Sequence, residues 1–184
     1  MFVLLSALDN RNILYLFSIL LALGLYSEGL IPSTVLASSI RTDRYPARVV
    51  KVVDGDTIVI KSGHTTKLIR LWGIDTPEWD QPFSGETKTF VKELLLNKRV
   101  YLEPLYLDKY NREIAQVYIS DINVSRLLVE KGYAWVHVYY CNKKICSFWK
   151  RLQKKARNAH TGLWGKGRPV APWKWKRMKN TRHR

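Results

Sequence analysis

Asp54-Gly55-Asp56-Thr57 and Ile74-Asp75-Thr76-Pro77-Glu78 contain four acids, three of which, Asp56, Asp75 and Glu78, could converge. Two carboxylates held close are costly unless they are protonated or neutralised by a cation. A hard divalent ion with oxygen ligands would neutralise both Asp56 and Asp75. Asp-Gly and Asp-Thr-Pro are also turn chemistry, so ordinary Asx-type turns account for the same residues. Glu78 follows Pro77, whose ring fixes the local path. A carboxylate beside a metal can orient or deprotonate a water. Arg70 lies five residues before Asp75. Its planar fork suits bidentate phosphate contact and the stabilisation of developing negative charge. A salt bridge that neutralises the acids is its plainer role.

A second cluster, Asp108-Lys109-Tyr110-Asn111-Arg112-Glu113, falls between two strand candidates. Asn111 accepts a left-handed turn conformation. Such a turn aims Lys109, Tyr110 and Arg112 outward, although a charged turn is also what a solvated loop looks like.

These residues need elements to carry them. Arg44 to Val53 reads as an extended, β-branched stretch that ends at the Asp54-Gly55 turn. Thr57 to Lys61 and Thr66 to Trp72 read as strands joined by a Ser62-Gly63-His64 hairpin signal. In the second strand Leu68, Arg70 and Trp72 share one face and Ile69 and Leu71 the other. The hairpin sets Asp56, at the start of one strand, beside Asp75, just beyond the end of the other. Ser84 is positioned to cap a helix running to about Leu96, with Phe90, Leu94 and Leu95 as its apolar stripe. Arg99 to Glu103 and Ile114 to Ile119 alternate as further strands. Asn123 to Lys131 reads as a short helix stopped by Gly132. Ser147 to about His160 reads as a basic helix, in which Lys150, Arg151, Lys154, Lys155 and Arg157 form either a nucleic-acid footprint or a solvated face. His64 and His160 have no partner that the sequence places. Short strands interrupted by helices suggest an α+β domain built on a small barrel. After Trp164 the chain turns Gly-, Pro- and Trp-containing and then strongly basic. That composition reads as a tail that packs locally through its tryptophans and is otherwise mobile.

Charge narrows the partner. The 184 residues carry a formal net charge of +16. This favours attraction to phosphate backbones or anionic membrane surfaces and says nothing of fold. Carboxylates concentrated in so basic a chain are what a metal site facing a polyanion would require. The hydrophobic content, 46%, supports a core and argues against global disorder.

The basic excess lies outside the first 37 residues, where Arg11 is accompanied by Asp9 and Glu28. Ile13 to Tyr26 is apolar apart from Ser18 and leads to Val35-Leu36-Ala37-Ser38. This pattern reads as a secretory signal cleaved after Ala37, giving a secreted or periplasmic protein. An uncleaved membrane anchor is the alternative, since Met1 to Leu8 would lengthen the apolar run. The chain has two cysteines, Cys141 and Cys146, whose spacing in an exported protein can close a small disulfide loop. Two cysteines with no nearby pair of histidines do not complete a tetrahedral zinc site.

Taken together, Asp54-Gly55-Asp56-Thr57, Arg70-Leu71, Ile74-Asp75-Thr76-Pro77-Glu78 and Asp108-Lys109-Tyr110-Asn111-Arg112 resemble the staphylococcal nuclease (thermonuclease) family in order and spacing. The resemblance spans about Tyr45 to Trp164. It implies an α+β, mainly β fold: a five-stranded OB-fold barrel with three helices. It also implies calcium-dependent hydrolysis of phosphodiesters in DNA and RNA, preferably single-stranded, leaving 3′-phosphate ends. Asp56 and Asp75 resemble the calcium-binding carboxylates, with the Thr76 carbonyl beside them. Glu78 matches the general base or water-orienting residue, and Arg70 and Arg112 match the arginines on the scissile phosphate. Lys109 and Tyr110 match contacts to a terminal phosphate of the nucleotide. The tyrosines that flank substrate in relatives match Tyr139, Tyr140 or a shifted register, and a buried packing role fits either ring at least as well.

The chain departs from the family pattern in places. Asn111 stands where a glycine is usual, and the Trp79-to-Gly85 segment is short, so phosphate contacts from that loop do not carry over. The expected organisation is a leader or anchor over 1–37, a linker over 38–43, the barrel domain over 44–164 and a basic tail over 165–184. No protein partner is implied and the chain reads as a monomer. A non-catalytic nucleic-acid-binding OB module is the main rival, and an anionic-surface binder of the envelope is the second.

Overall fold

The computed structural model describes residues 44–182. The leader and linker read from residues 1–43 lie outside the described residues. Five strands form a closed barrel: β1 (Tyr45–Val52), β2 (Thr57–Ser62), β3 (Thr65–Leu71), β5 (Arg99–Leu107) and β6 (Glu113–Ile119). Their order is β3-β2-β1-β5-β6, and a parallel β3–β6 pairing closes the ring. Two-residue strands complete the set: β4 (Ile74–Asp75) pairs with β8 (Trp135–Val136), and β7 (Ile122–Asn123) extends β6.

Alternation explains the barrel wall. Ala47, Val49 and Val52 of β1 point inward, and the three-residue step from Val49 to Val52 is absorbed by a bulge between Val49 and Lys51. Ile69 and Leu71 of β3 are buried while Leu68 is exposed, as the face assignment requires. β5 runs on to Leu107, beyond the expected Glu103, because a register shift between Pro104 and Tyr106 accommodates the proline. The extension carries the chain to the Asp108 turn.

Four α-helices are described: α1 (Ser84–Leu95), α2 (Val124–Glu130), α3 (Ile145–Asn158) and α4 (Pro172–Arg182). α1 buries Thr87, Val91 and Leu95, with Phe90 and Leu94 only partly covered. Ser84 does not cap it. Phe83 occupies the cap in a left-handed conformation, and the Ser84 hydroxyl donates to the Trp79 carbonyl. α2 is capped by Asn123, whose side chain accepts the Arg126 N–H at 3.0 Å, and Gly132 takes φ 72° just beyond its end. α3 starts two residues earlier than expected, at Ile145, and sends Trp149 into the core. Cys146, in its first turn, is joined to Cys141 by a disulfide.

The fourth helix was not expected. The segment read as a mobile tail is helical from Pro172, a residue pre-set for the first helical position. Trp173 packs against a small cluster of Trp135, Ala156, Leu163 and Trp164, apart from the barrel core. Among the described residues no helix is long and apolar enough to cross a membrane.

Candidate functional site

Strand register assembles the site. Thr57 pairs with Arg70 across the β2–β3 hairpin, and the Leu71 N–H donates to the Asp56 carbonyl at 2.8 Å. The chain then reverses at Gly73, φ 80°, where an added Cβ would lie 2.8 Å from the Trp149 ring. β4 therefore runs back along β8 and returns Asp75 to the neighbourhood of Asp56. Gly55 has a packing reason as well: a Cβ there would meet Thr87 at 2.5 Å and the Thr76 hydroxyl at 2.7 Å.

Asp56, Asp75 and Thr76 are buried, each at or below 4% exposure, so their polar groups must be satisfied internally. Oδ2 of Asp56 accepts the Thr76 N–H at 2.9 Å and the Thr76 hydroxyl at 2.8 Å. Oδ1 of Asp56 accepts from the Thr57 hydroxyl and is ion-paired with Nη1 of Arg70. Nη2 of Arg70 reaches Oδ1 of Asp75 at 2.6 Å. The salt-bridge reading of Arg70 thus describes its contacts here. One guanidinium bridges the two carboxylates, with one nitrogen on each.

The Asp108 turn is built around its own carboxylate. Oδ1 accepts the backbone N–H of Tyr110 and of Arg112, both at 2.9 Å, and Oδ2 accepts from the Arg112 side chain at 2.8 Å. Burial works to raise the Asp108 pKa, and these hydrogen bonds from Arg112 and Tyr110 outweigh it, holding the carboxyl below its ordinary value. Asn111 takes φ 58°, the left-handed conformation that Asn tolerates in a turn. Immediately after the turn, Glu113 pins β6 to the barrel through Lys67 at 2.7 Å and through the Tyr45 hydroxyl.

The β3–β6 pairing sets Ile69 opposite Glu113 and Arg70 opposite Ile114. Arg112, one residue before β6, is thereby brought to the same end of the barrel wall as Arg70. Both line one open cavity of about 410 Å³, together with Asp75, Lys109, Tyr110 and Tyr140. Tyr140 is 60% exposed, and Tyr139, at 73%, lies in an adjoining groove. Neither ring is buried, although Tyr140 packs with its ring centre 4.4 Å from that of His137.

Glu78 stands slightly apart. It lines a neighbouring recess, bounded by Trp79, Asp80 and α4, rather than the arginine cavity. Its carboxylate is 2.8 Å from the Lys176 ammonium, and Lys176 borders both spaces. Gln81 fixes the local loop by accepting the Glu78 N–H and donating to the Val170 carbonyl.

Two contributors escaped the sequence reading. His137 is buried beside Asp75 and Arg70, and its Nδ1 accepts the N–H of Tyr139 at 3.2 Å and of Tyr140 at 3.4 Å. Burial pushes its pKa below the ordinary value; Asp75 opposes this, and Arg70 and Lys176 add to it. A neutral ring is what an accepting Nδ1 requires. The other contributor is α4, which supplies Trp173 and Lys176 to the cavity wall. A lone histidine in an apolar stretch and a basic segment without apolar periodicity carry no readable signal of either role.

The donor chemistry can be tested against a calcium ion. Asp56, Asp75 and the Thr76 carbonyl are hard oxygen donors, and Arg70 offsets one of the two buried negative charges, leaving the other for a cation. Among the described residues no group of three or more His, Cys, Asp or Glu side chains could hold an ion. The protein's carboxylates would therefore supply only part of the six to eight oxygens calcium takes, with the open cavity admitting water and phosphate for the rest. Of these donors Asp75 borders the open cavity, while Asp56 and Thr76 lie buried behind it and are hydrogen-bonded to each other. The donor types fit calcium on those terms.

Comparison with known proteins agrees with this architecture. A family model described as "Staphylococcal nuclease homologue" matches residues 68–166. An uncharacterized endonuclease of Escherichia coli O157:H7 is 37% identical over 133 residues, covering 72% of this chain and 85% of its own length. An uncharacterized endonuclease of Haemophilus influenzae is 33% identical over 146 residues, covering 79% and 80% respectively. A micrococcal nuclease of Shigella flexneri is 29% identical over 142 residues, covering 72% and 81%. With its barrel closed around this site and relatives of this kind matching most of its length, the chain belongs to the family of staphylococcal nuclease homologues.

Proposed function

We propose that this nuclease hydrolyses phosphodiester bonds in DNA and RNA, preferably in single strands, with calcium at Asp56, Asp75 and the Thr76 carbonyl. The observation that carries the reading is the convergence of Arg70 and Arg112 on one open cavity whose wall includes Asp75. Two guanidiniums facing the same space supply planar donors for phosphate oxygens, where charge builds up in the transition state. Glu78 accepts a proton from water as the water oxygen bonds to phosphorus. The P–O5′ bond breaks, its electron pair leaves on the 5′ oxygen, which takes up a proton, and a 3′-phosphate end remains. Calcium, when bound, supplies electrostatic neutralisation of the phosphate and of the two buried aspartates. His137 positions the Tyr139-Tyr140 turn against the cavity. Lys109 and Tyr110 flank it on the other side as contacts to a neighbouring phosphate, and the exposed rings favour accessible, unstacked bases.

An exported location, secreted or periplasmic, suits the disulfide between Cys141 and Cys146. We take the protein as a monomer with nucleic acid as its partner. Membrane attachment would come only through an uncleaved N-terminal segment.

The test is degradation of single-stranded DNA by the purified protein. Cleavage is expected with calcium, with loss on chelation and 3′-phosphate termini in the products. Binding without calcium-dependent cleavage would refute the reading.

A further inference from the structure

The helix α4 lies beyond the residues matched by the family model and carries five basic residues and no acidic one. Two of its faces do different things. Trp175 and Lys179, four residues apart, hold Asp80: the indole N–H donates to one carboxylate oxygen at 3.2 Å, and the ammonium pairs with the other. Trp173 and Lys176, three residues apart, line the cavity that contains Arg70 and Arg112. Trp173 also packs against His137, ring centres 5.4 Å apart, and against the Trp135–Trp164 cluster. The helix is therefore anchored at Asp80 and at Trp173, and Lys176 sits between the anchors.

Lys176 is 58% exposed while its partner Glu78 is 22% exposed. An ion pair this open contributes little, because water and salt screen it. A lysine ammonium is a compact charge on a flexible stem, free to trade one anionic oxygen for another. The adjacent cavity is where the reading above places a phosphate.

We infer that Lys176 is a substrate-binding residue: it exchanges the Glu78 carboxylate for a phosphate of the bound strand, in a cleft of which α4 forms one wall. This rests on the nuclease reading and adds a consequence to it. Strand binding then uncovers Glu78 as the substrate arrives. The wall itself stays in place, because its anchors involve Asp80 and the tryptophan cluster rather than the substrate.

The rival role for α4 is that of a plug, and the two differ in sign. Binding of a fluorescein-labelled single-stranded oligonucleotide to the full chain, measured by anisotropy in chelator across a range of salt concentrations, separates them. Lys176→Gln is expected to weaken binding about three- to tenfold and to reduce the slope of log affinity against log salt by about 0.7, the value for one phosphate contact on a single strand. Lys176→Arg restores most of the affinity, and Lys174→Gln, on the exposed face of α4, changes it less than twofold. Tighter binding by Lys176→Gln, unchanged binding, or an equal loss in Lys174→Gln would overturn the inference. Wild-type protein that neither binds nor cleaves would overturn the nuclease reading and this inference with it.

Discussion

Two cation–carboxylate contacts, one at the arginine cavity and one at the recess beside it, are held very differently. Arg70 with Asp56 and Asp75 is enclosed by the barrel rim, at 18% side-chain exposure for the arginine and 5% or less for the acids. Lys176 with Glu78 is open to solvent and joins elements nearly a hundred residues apart. The first is pre-organised: both carboxylates accept further hydrogen bonds or lie on paired strands, so the guanidinium plane is set before any substrate binds. The second is exchangeable. The difference teaches which charges define the geometry of the site and which are free to respond to a ligand.

The comparison breaks most readily at Arg70. Arg70→Ala leaves two buried carboxylates without their counter-charge, and loss of one partner from a buried ion pair costs about 3–5 kcal/mol. The unfolding free energy measured in chelator should fall accordingly, while Lys176→Ala should change it by no more than roughly 1 kcal/mol. Similar shifts for both would erase the distinction between fixed and exchangeable contacts.

A smaller effect sharpens the open side. The hydrogen bond from Lys179 holds the Asp80 carboxyl below its ordinary pKa; burial opposes this and Trp175 adds to it. A depressed carboxylate contributes stability that is present above its unfolded value and is lost as pH falls through the lower folded value. The docking of α4 should therefore persist at neutral pH and loosen only in strong acid. Amide exchange along Pro172–Arg182 should rise there, and Asp80→Asn should show the raised exchange already at neutral pH. Exchange independent of both pH and Asp80 would remove Asp80 as the anchor.

The same contrast marks what the sequence reveals. The hairpin, the acids at its open end and the Asp108 turn rest on short-range rules: alternation in Thr57–Ser62 and Thr65–Leu71, turn residues at Gly63 and Asn111, and a left-handed position after α2 at Gly132. Those rules, with the family resemblance, point to Arg70, Asp75 and Arg112, which line one cavity, and to Asp56, which lies behind it against Arg70. They miss contacts made at long range by weakly patterned segments. α4 has no apolar stripe; Trp173 and Trp175 face different partners, and only the folded barrel and Asp80 make the helix worth forming. Ser84 looks like a cap, but the tight path from Trp79 leaves Phe83 in that place. His137 acquires its function from the turn of Tyr139 and Tyr140 above it, which no spacing announces.

The central claim is that this cleft cuts phosphodiesters with Glu78 preparing the water. Single-turnover cleavage of a 5′-labelled single-stranded oligonucleotide by Glu78→Gln, with calcium and with affinity measured in parallel, tests it most directly. The expected result is a rate at least about 100-fold below wild type with dissociation constant changed by less than about threefold. A variant that cleaves at the wild-type rate, or that loses affinity as steeply as rate, would contradict the assignment.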